Sequence, residues 1–472
     1  MSEGRQFDLL ILGGGMSYVG AIRAAQLGMS VAVVERDRLG GTCLNRGCIP
    51  SKTLLETADL LHRVTQQGAE LGLAGGSGVT LDYGALAKRR DAIVDKHVRG
   101  VEFLLKKNGV TVLRGSGALT SPTSVRISDG EAGALTASAT DLILATGSAP
   151  RPLQGIEVDG ERIVTSDEAL TRDRAPGSVT IIGGGAIGVE WASMYRDFGT
   201  EVNLVEFMDR IVPLEDPDIG KELTRLFKRR GIRLFPAATV DGASIERTAS
   251  GLRFAIAANE GSTRTEVESE LLLVAVGRRP LTDGIGLEAI EGLRLERGYV
   301  TVDEWMRTGV PHLYAIGDIV PGFQLAHVAS HEVVVAVETI AGHKPDPVRM
   351  DLMPRVTFCR PQIGSVGLTE QEAGDRGLPV RTGSFPFRAL GKATIVGETD
   401  GFAKMVAHAE TGELLGTHII GPHAGDLLAE PTLARLVEAT TGEIAMSVHA
   451  HPTLTEVLAE AALAVDGTAI HV

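Results

Sequence analysis

Cysteine is scarce here: the 472-residue chain has three. So few exclude a disulfide-stapled secreted scaffold. Aromatic residues are also sparse at 4%, while Gly reaches 58. That balance speaks against an all-β sandwich and for an α/β protein with many tight strand-to-helix turns. Cations are outnumbered, with 46 Lys and Arg against 60 Asp and Glu and a net charge of −14. Such a balance argues against nucleic acid and against an anionic membrane surface as partners. Long apolar runs are missing as well; none approaches the roughly 20 residues that cross a bilayer. The opening Met-Ser-Glu-Gly-Arg-Gln has no cationic start and no cleavage site, so no signal peptide is read and a cytoplasmic protein is expected. What remains is a globular composition, 43% hydrophobic and 22% charged, long enough for two to four domains.

Two of the three cysteines, Cys43 and Cys48, fall in one stretch, Gly40-Gly-Thr-Cys-Leu-Asn-Arg-Gly-Cys-Ile-Pro-Ser-Lys52. In a regular helix, residues five apart sit ~7.5 Å apart along the axis. A disulfide wants Cα atoms within roughly 7 Å. A bonded pair therefore requires distorted backbone, for which Gly47 supplies the freedom. Arg46 and Lys52 flank the pair and helical sequence follows, a setting that favours thiolates. Two buried structural thiols are the alternative. A zinc half-site is a weaker one, since no second cysteine pair follows.

Phe7–Leu12 is an apolar run ending in Gly13-Gly14-Gly15, then an amphipathic helix to Gly28, then Val31–Val34 with Glu35 at its end. This pattern is that of a dinucleotide-binding unit, in which phosphates meet the helix N-terminus and the acid holds a ribose; a generic βαβ turn is the alternative. Its fingerprint is incomplete. Gly13 and Gly15 fit, but the third position reads Tyr18, the turn is one residue short, and Gly20 is the nearest substitute. A polar helix with apolar Leu86, Ile93, Val101, Leu104 and Leu105 is predicted over 82–108, and a strand over 110–113. Leu142–Ala145 forms a buried strand running into the small residues Thr146, Gly147 and Ser148, which admit either a ligand or tight packing.

A second unit begins after Pro152. Ser178–Ile182 leads into Gly183-Gly-Gly185-Ala186-Ile187-Gly188, a complete G-x-G-x-x-G, and Val202–Val205 ends in Glu206. An acid there suits a free ribose 2′-hydroxyl and repels a 2′-phosphate, so NAD is favoured over NADP. Residues 239–267 read as a small antiparallel insertion. Leu271–Arg278 and His312–Asp318 are further strand-and-turn segments. Asp318 lies where a carboxylate would bind a polyol or ribose, or else caps the next helix. After Pro347 strands and helices alternate in an α+β manner. Cys359 reads as structural there. His449 and His451 alternate, a spacing open to metal binding or to surface placement, and Glu456 is near enough to orient an imidazole.

Taken together, the chain resembles the pyridine nucleotide-disulfide oxidoreductase family over essentially its whole length. Gly41–Lys52 is similar to the family's active-site signature. Leu325-Ala326-His327, Ser365–Thr369, Gly397–Phe402 and His449–Glu456 match further family segments. The resemblance implies an α/β fold of two Rossmann-like dinucleotide-binding domains plus an α+β C-terminal dimerisation domain. Its domains would be FAD-binding (1–150), NAD-binding (151–277), central and completing the FAD site (278–349), and interface (350–472). It implies FAD and NAD as cofactors, no metal, and oxidation of dihydrolipoamide to lipoamide with reduction of NAD to NADH. The implied partners are a second copy of the chain, a lipoyl-bearing acyltransferase or carrier protein, and a small dithiol. Another disulfide or mercuric reductase of the family is the alternative activity, although the tail lacks a cysteine pair. An FAD-containing assembly subunit is another.

The resemblance also implies roles. Cys43 exchanges with substrate, Cys48 faces the flavin, and His451 is the base, oriented by Glu456 and supplied by the partner subunit. Gly13, Gly15, Glu35, Thr42, Lys52, Gly117, Thr146, Gly147, Ser148, Asp318 and Ala326 belong to the FAD side, with Lys52 paired to Glu190. Gly183, Gly185, Ala186, Ile187, Gly188, Glu206, Val240, Ala275, Val276, Gly277 and Arg278 belong to the NAD side. The family's Asn after the Arg-x-Pro turn is Leu281 here.

Overall fold

The computed structural model describes residues 5–129, 134–258 and 261–472. In chain order, its site-bearing elements begin with β1 (Arg5–Leu12), α1 (Tyr18–Gln26), β2 (Val31–Glu35), α2 (Gly41–Arg46) and α3 (Cys48–His62). Next come α4 (Tyr83–Lys107), β3 (Thr111–Arg114), β4 (Leu135–Leu144), β5 (Ser148–Pro150), β6 (Ser178–Ile182) and α5 (Ala186–Asp197). The series ends with β7 (Glu201–Val205), β8 (Ala238–Val240), β9 (Leu271–Val274), β10 (Arg278–Pro280), β11 (Leu313–Ala315), α6 (Ala326–Ile340) and α7 (Glu456–Val465). They fall into two compact units. The first is Met1–Ser51, Lys88–Arg151 and Arg278–Met350; the second is Lys52–Ala87, Pro152–Gly277 and Asp351–Val472.

In the first unit β3, β2, β1, β4 and β11 run parallel in that order. The outer edge of β4 is divided. Its first residues pair antiparallel with Ser124–Ser128, and Leu142–Leu144 pair with β11. The apolar runs of the sequence are continuous because both faces are covered. Leu10, Leu12, Ala32, Val34, Leu142 and Leu144 enter one core, and Leu9, Ile11, Val31, Val33 and Ile143 enter the other, the period of two that a pleated strand imposes. The second core holds Ala21 and Ala24 of α1 and Val333 of α6. The helix predicted over 82–108 is α4; Leu86, Val101 and Leu105 are buried in it, whereas Leu104 is exposed.

In the second unit β6 is central to a five-stranded parallel sheet, Arg233–Phe235, β7, β6, β9 and Ile163–Val164. The antiparallel insertion is a four-stranded sheet of β8, Glu246–Arg247, Leu252–Ala258 and Thr263–Ser269. The C-terminal part is a five-stranded antiparallel sheet backed by α7, with Phe385, Phe387 and Met405 packed against Leu458 and Ala461. Among the described residues no helix is long and apolar enough to cross a membrane.

The approach of α1 to α6 depends on Gly20, where an added Cβ would stand 2.2 Å from Val333 Cγ2. Gly20→Ala is therefore expected to destabilise the chain by about 1–3 kcal/mol through overpacking. Val333→Ala in the same chain should recover most of that loss, and urea denaturation of the two single variants and the double variant measures the coupling. Equal losses with and without Val333 would contradict the contact.

Candidate active site

Helix α2 starts against the first glycine turn, backbone on backbone. Gly40 has φ +92° and Gly41 φ +59°. The Gly40 N–H donates to Gly14 O at 2.7 Å, and a Cβ on Gly41 would lie 2.7 Å from Gly15 Cα. Only glycine supplies that conformation and that proximity. Cys43 lies within α2. The helix then breaks at Gly47 (φ −146°, ψ −115°), and Cys48 opens α3. The distortion that a bonded pair would need is thus present, and a Cβ on Gly47 would meet Thr42 O at 2.9 Å and Cys43 Cα at 3.2 Å. Both thiols are half-buried. Cys48 sits at the N-terminus of a 15-residue helix, where a thiolate is favoured. The Asn45 amide donates to Leu39 O and Gly41 O, each at 3.0 Å, and Arg46 pairs with Asp37. Tyr18 lies beside Cys43: burial, and then the Cys43 charge, push its phenol pKa up.

The two glycine turns are built alike. Gly13 (φ +114°) and Gly183 (φ +105°) leave no space for a side chain, since a Cβ would stand 2.2 Å from Ala145 O and 2.3 Å from Ala275 O respectively. The Gly14 N–H donates to Glu35 Oε2 at 2.7 Å, and the Gly184 N–H to Glu206 Oε2 at 2.6 Å. The second oxygen of each acid accepts from a main-chain N–H two residues on, Asp37 or Met208, at 2.7 Å. Each carboxylate is thereby fixed at the C-terminal end of its strand. Burial pushes the Glu35 pKa up, against the opposing pull of Gly14 N–H and of Arg36 and Arg114. A Cβ on Gly185 would meet nothing within 4 Å, the open space that a dinucleotide's phosphates require.

The turns differ at the third glycine position. In the second, Gly188 packs so closely that a Cβ would stand 1.8 Å from Gly183 O. In the first, Ser17 takes this place; it is 1% exposed and its hydroxyl donates to Gly13 O. The sequence pattern pointed to Tyr18 and Gly20 instead. Because the turn is one residue shorter, the helix register shifts, Tyr18 becomes the first helical residue, and Gly20 serves the contact with α6.

Asp318 follows β11 at a positive-φ Gly317 and accepts from the Ser148 hydroxyl. It caps no helix; Leu325 is the residue before α6, which begins at Ala326. Arg278 donates to Ser148 Oγ (2.7 Å) and Ser148 O (2.9 Å), with Nε 3.8 Å from Asp318. The antiparallel pairing of β10 with β5 sets Arg278 opposite Pro150. Beneath the turn Glu332, 2% exposed, accepts from Gly317 N–H at 2.6 Å. Burial, opposed by that bond and aided by the Asp318 charge, pushes its pKa up to about 7. Gly117 is required by packing, since a Cβ would stand 2.5 Å from Leu12 Cδ1. Thr146 spends its hydroxyl on Leu281 O at 2.7 Å.

In the second unit Lys52 Nζ lies 2.8 Å from Glu190 Oε2 and 3.0 Å from Oε1, and 4.9 Å from the centroid of Phe358. Glu190 also accepts from Phe358 N–H at 2.8 Å. The next turns of α5 hold the same segment. Ser193 Oγ accepts from Arg360 N–H at 2.9 Å, and Asp197 pairs with Arg360 at 2.8 Å and Arg230 at 2.9 Å. Cys359, buried between them, has its pKa pushed well up by burial and then by the Glu190 charge. Val240 pairs with Ile256 in the antiparallel sheet. His451 Nδ1 is 2.8 Å from Glu456 Oε1, and Thr453 N–H donates to Glu456 Oε2 at 2.9 Å. Partial burial alone would raise the Glu456 pKa, but these two bonds outweigh it and hold the carboxyl low. The two histidines diverge: the His451 side chain is 77% exposed, whereas that of His449 is 8% exposed and held by Glu430 at 3.0 Å.

Residues 7–332 match the family described as pyridine nucleotide-disulphide oxidoreductase, and residues 353–462 match its dimerisation domain. The chain belongs to the pyridine nucleotide-disulphide oxidoreductases. Within that family it is similar to the dihydrolipoyl dehydrogenase of Bacillus subtilis (strain 168), with 45% identity covering 99% of each chain. It is 41% identical to that of Corynebacterium glutamicum, over 98% of this chain and 99% of the other. Its fold is similar to that of LpdA from Mycobacterium tuberculosis, with TM-score 0.88 and 28% identity over 97% of this chain and 99% of that one. The chain's cofactors are FAD and NAD, and the two glycine turns fit two dinucleotides. One departure from the family, Leu281, is met by backbone alone, since its N–H donates to Gly147 O at 2.9 Å and its carbonyl accepts from Thr146.

Sequence reading passed over Ser17, Glu332 and the bonds that tie Phe358 and Arg360 to α5. Of these only Glu332 left a trace, as an acid six residues into an apolar helix. Its raised pKa favours folding at low pH, and the contribution is lost as pH rises through about 7. Glu332→Gln should therefore gain stability relative to the parent between pH 5 and pH 8, read as a melting-temperature difference that grows with pH. A difference independent of pH would contradict a neutral buried acid.

Proposed function

We propose that this chain oxidises a dihydrolipoyl dithiol to the cyclic disulfide and delivers the electrons to NAD, as a homodimer in the cytoplasm serving a lipoyl-bearing acyltransferase or carrier protein. The observation that carries this reading is the helix break at Gly47, which sets Cys43 and Cys48 on separate helices, the first of them seated on the first glycine turn. The similarity to dihydrolipoyl dehydrogenases over the full chain supports it. The first turn with Glu35, Asp318 and Ala326 takes FAD; the second with Glu206 takes NAD. The functional domains are 1–150 for FAD, 151–277 for NAD, 278–349 completing the FAD site and 350–472 forming the interface.

The residues divide the work as follows. Glu456 accepts from His451 Nδ1–H, which leaves Nε2 to take a proton from the substrate thiol; His451 reaches the site from the second copy. The substrate thiolate attacks Cys43 Sγ, the Cys43–Cys48 bond breaks, and Cys48 leaves as a thiolate. The second substrate thiol, deprotonated in turn, attacks the substrate sulfur bound to Cys43. The product disulfide forms and Cys43 is released reduced. FAD supplies the two-electron relay from sulfur to NAD. Lys52, held by Glu190, keeps a positive charge beside that relay. The sum is dithiol and NAD⁺ giving disulfide, NADH and a proton.

Cys48→Ser is expected to keep FAD and to lose dihydrolipoamide turnover to background; near-normal turnover in a steady-state assay would sink the mechanism. His451→Gln should slow reduction by dihydrolipoamide by about 10²–10⁴-fold, the usual contribution of a positioned base. Stopped-flow traces should show NADH-to-dye transfer little changed, and equal slowing of both would remove His451 from the role. A yellow protein that cannot reduce NAD⁺ with dihydrolipoamide would favour the alternative of an FAD-containing assembly subunit.

A further inference from the structure

The two glycine turns present different numbers of amides to a phosphate. In the second turn the first N–H to bond back is that of Val189, to Gly185 O at 3.0 Å. An i to i+4 bond leaves Ala186, Ile187 and Gly188 with amides ahead of it. In the first turn Tyr18 N–H bonds back to Gly15 O at 3.2 Å and Val19 N–H to Met16 O at 3.1 Å. These are i to i+3 bonds, a tighter winding with poorer hydrogen-bond geometry. Only Met16 and Ser17 lie ahead of them. The tight turn is closed by the Ser17 hydroxyl on Gly13 O, at the spot where the second turn tolerates no side chain at all.

We infer that Ser17 is the residue that sets FAD affinity in this chain: its hydroxyl holds closed a shortened turn that grips the FAD pyrophosphate with one amide fewer than the six-residue turn would. The inference rests on the assignment of FAD to the first turn. Amides at a helix N-terminus bind phosphate through charge-assisted bonds. Loss of one such bond corresponds to about ten-fold or more in affinity. The shortened turn therefore makes FAD more readily exchanged than a full fingerprint would.

The test is FAD retention by the holoenzyme, followed as fluorescence of free FAD across a dilution series, with NADH binding at the untouched second turn as reference. One variant carries a glycine inserted between Met16 and Ser17 together with Ser17→Gly, which restores a full-length turn. The other is Ser17→Ala at native length. The lengthened chain should hold FAD about ten-fold tighter than the parent, the gain of one charge-assisted bond. Ser17→Ala should release FAD several-fold more readily, about the loss of one neutral hydrogen bond. A lengthened chain that holds FAD no tighter overturns the inference and leaves the FAD assignment standing. Unchanged retention in Ser17→Ala overturns the role of the hydroxyl, whether or not the lengthened chain folds. If parent and variants alike hold no FAD, the assignment beneath the inference fails with it.

Discussion

Contact between bare backbones governs this structure. At Gly13, Gly183 and Gly188 a carbonyl oxygen occupies the place of a missing methyl group, and Gly41 and Gly47 meet backbone in the same way. Each contact brings a chain reversal closer to its neighbour than any side chain permits. The result is a set of turns whose main-chain N–H groups can face a ligand instead of being screened from it. Gly41 extends the rule from binding to chemistry, since it seats the helix bearing Cys43 directly on Gly15.

The same scaffold serves its two acids. Glu35 and Glu206 are each tied down twice, once by the second glycine of the turn and once by an N–H two residues onward. A carboxylate so held cannot swing away, so the strand end presents a fixed pair of acceptors. This economy recurs at His451, where Glu456 is itself fixed by Thr453 N–H before it holds the imidazole. In all three places a carboxylate is fixed by main-chain N–H groups, and at His451 that carboxylate in turn holds an imidazole.

Much of this was legible in the residues. Continuous apolar runs ending in glycine or acid marked β1, β2, β6 and β7 because two-faced burial leaves no polar alternation. A bonded Cys43–Cys48 pair called for distorted backbone, and Gly47 marked where the helix breaks. What could not be read was register. Ser17 stands where Tyr18 seemed to stand, because deletion of one residue rewinds a turn and does not simply remove a position. The pairing of Arg278 with Pro150 is distant in sequence. The Glu190–Phe358 bond joins residues 168 apart and carries no periodic signal.

Cys359 has a consequence for the fidelity of electron flow. A thiol attacks a disulfide only as its thiolate, and this one is sealed from solvent at 1% exposure with its ionisation suppressed. It is thus an inert spectator to thiol–disulfide exchange: mixed disulfides cannot migrate onto it, and scrambling among the three sulfurs is closed off. If electrons pass through a Cys43–Cys48 bond, as proposed above, the remaining sulfur is locked out of that circuit.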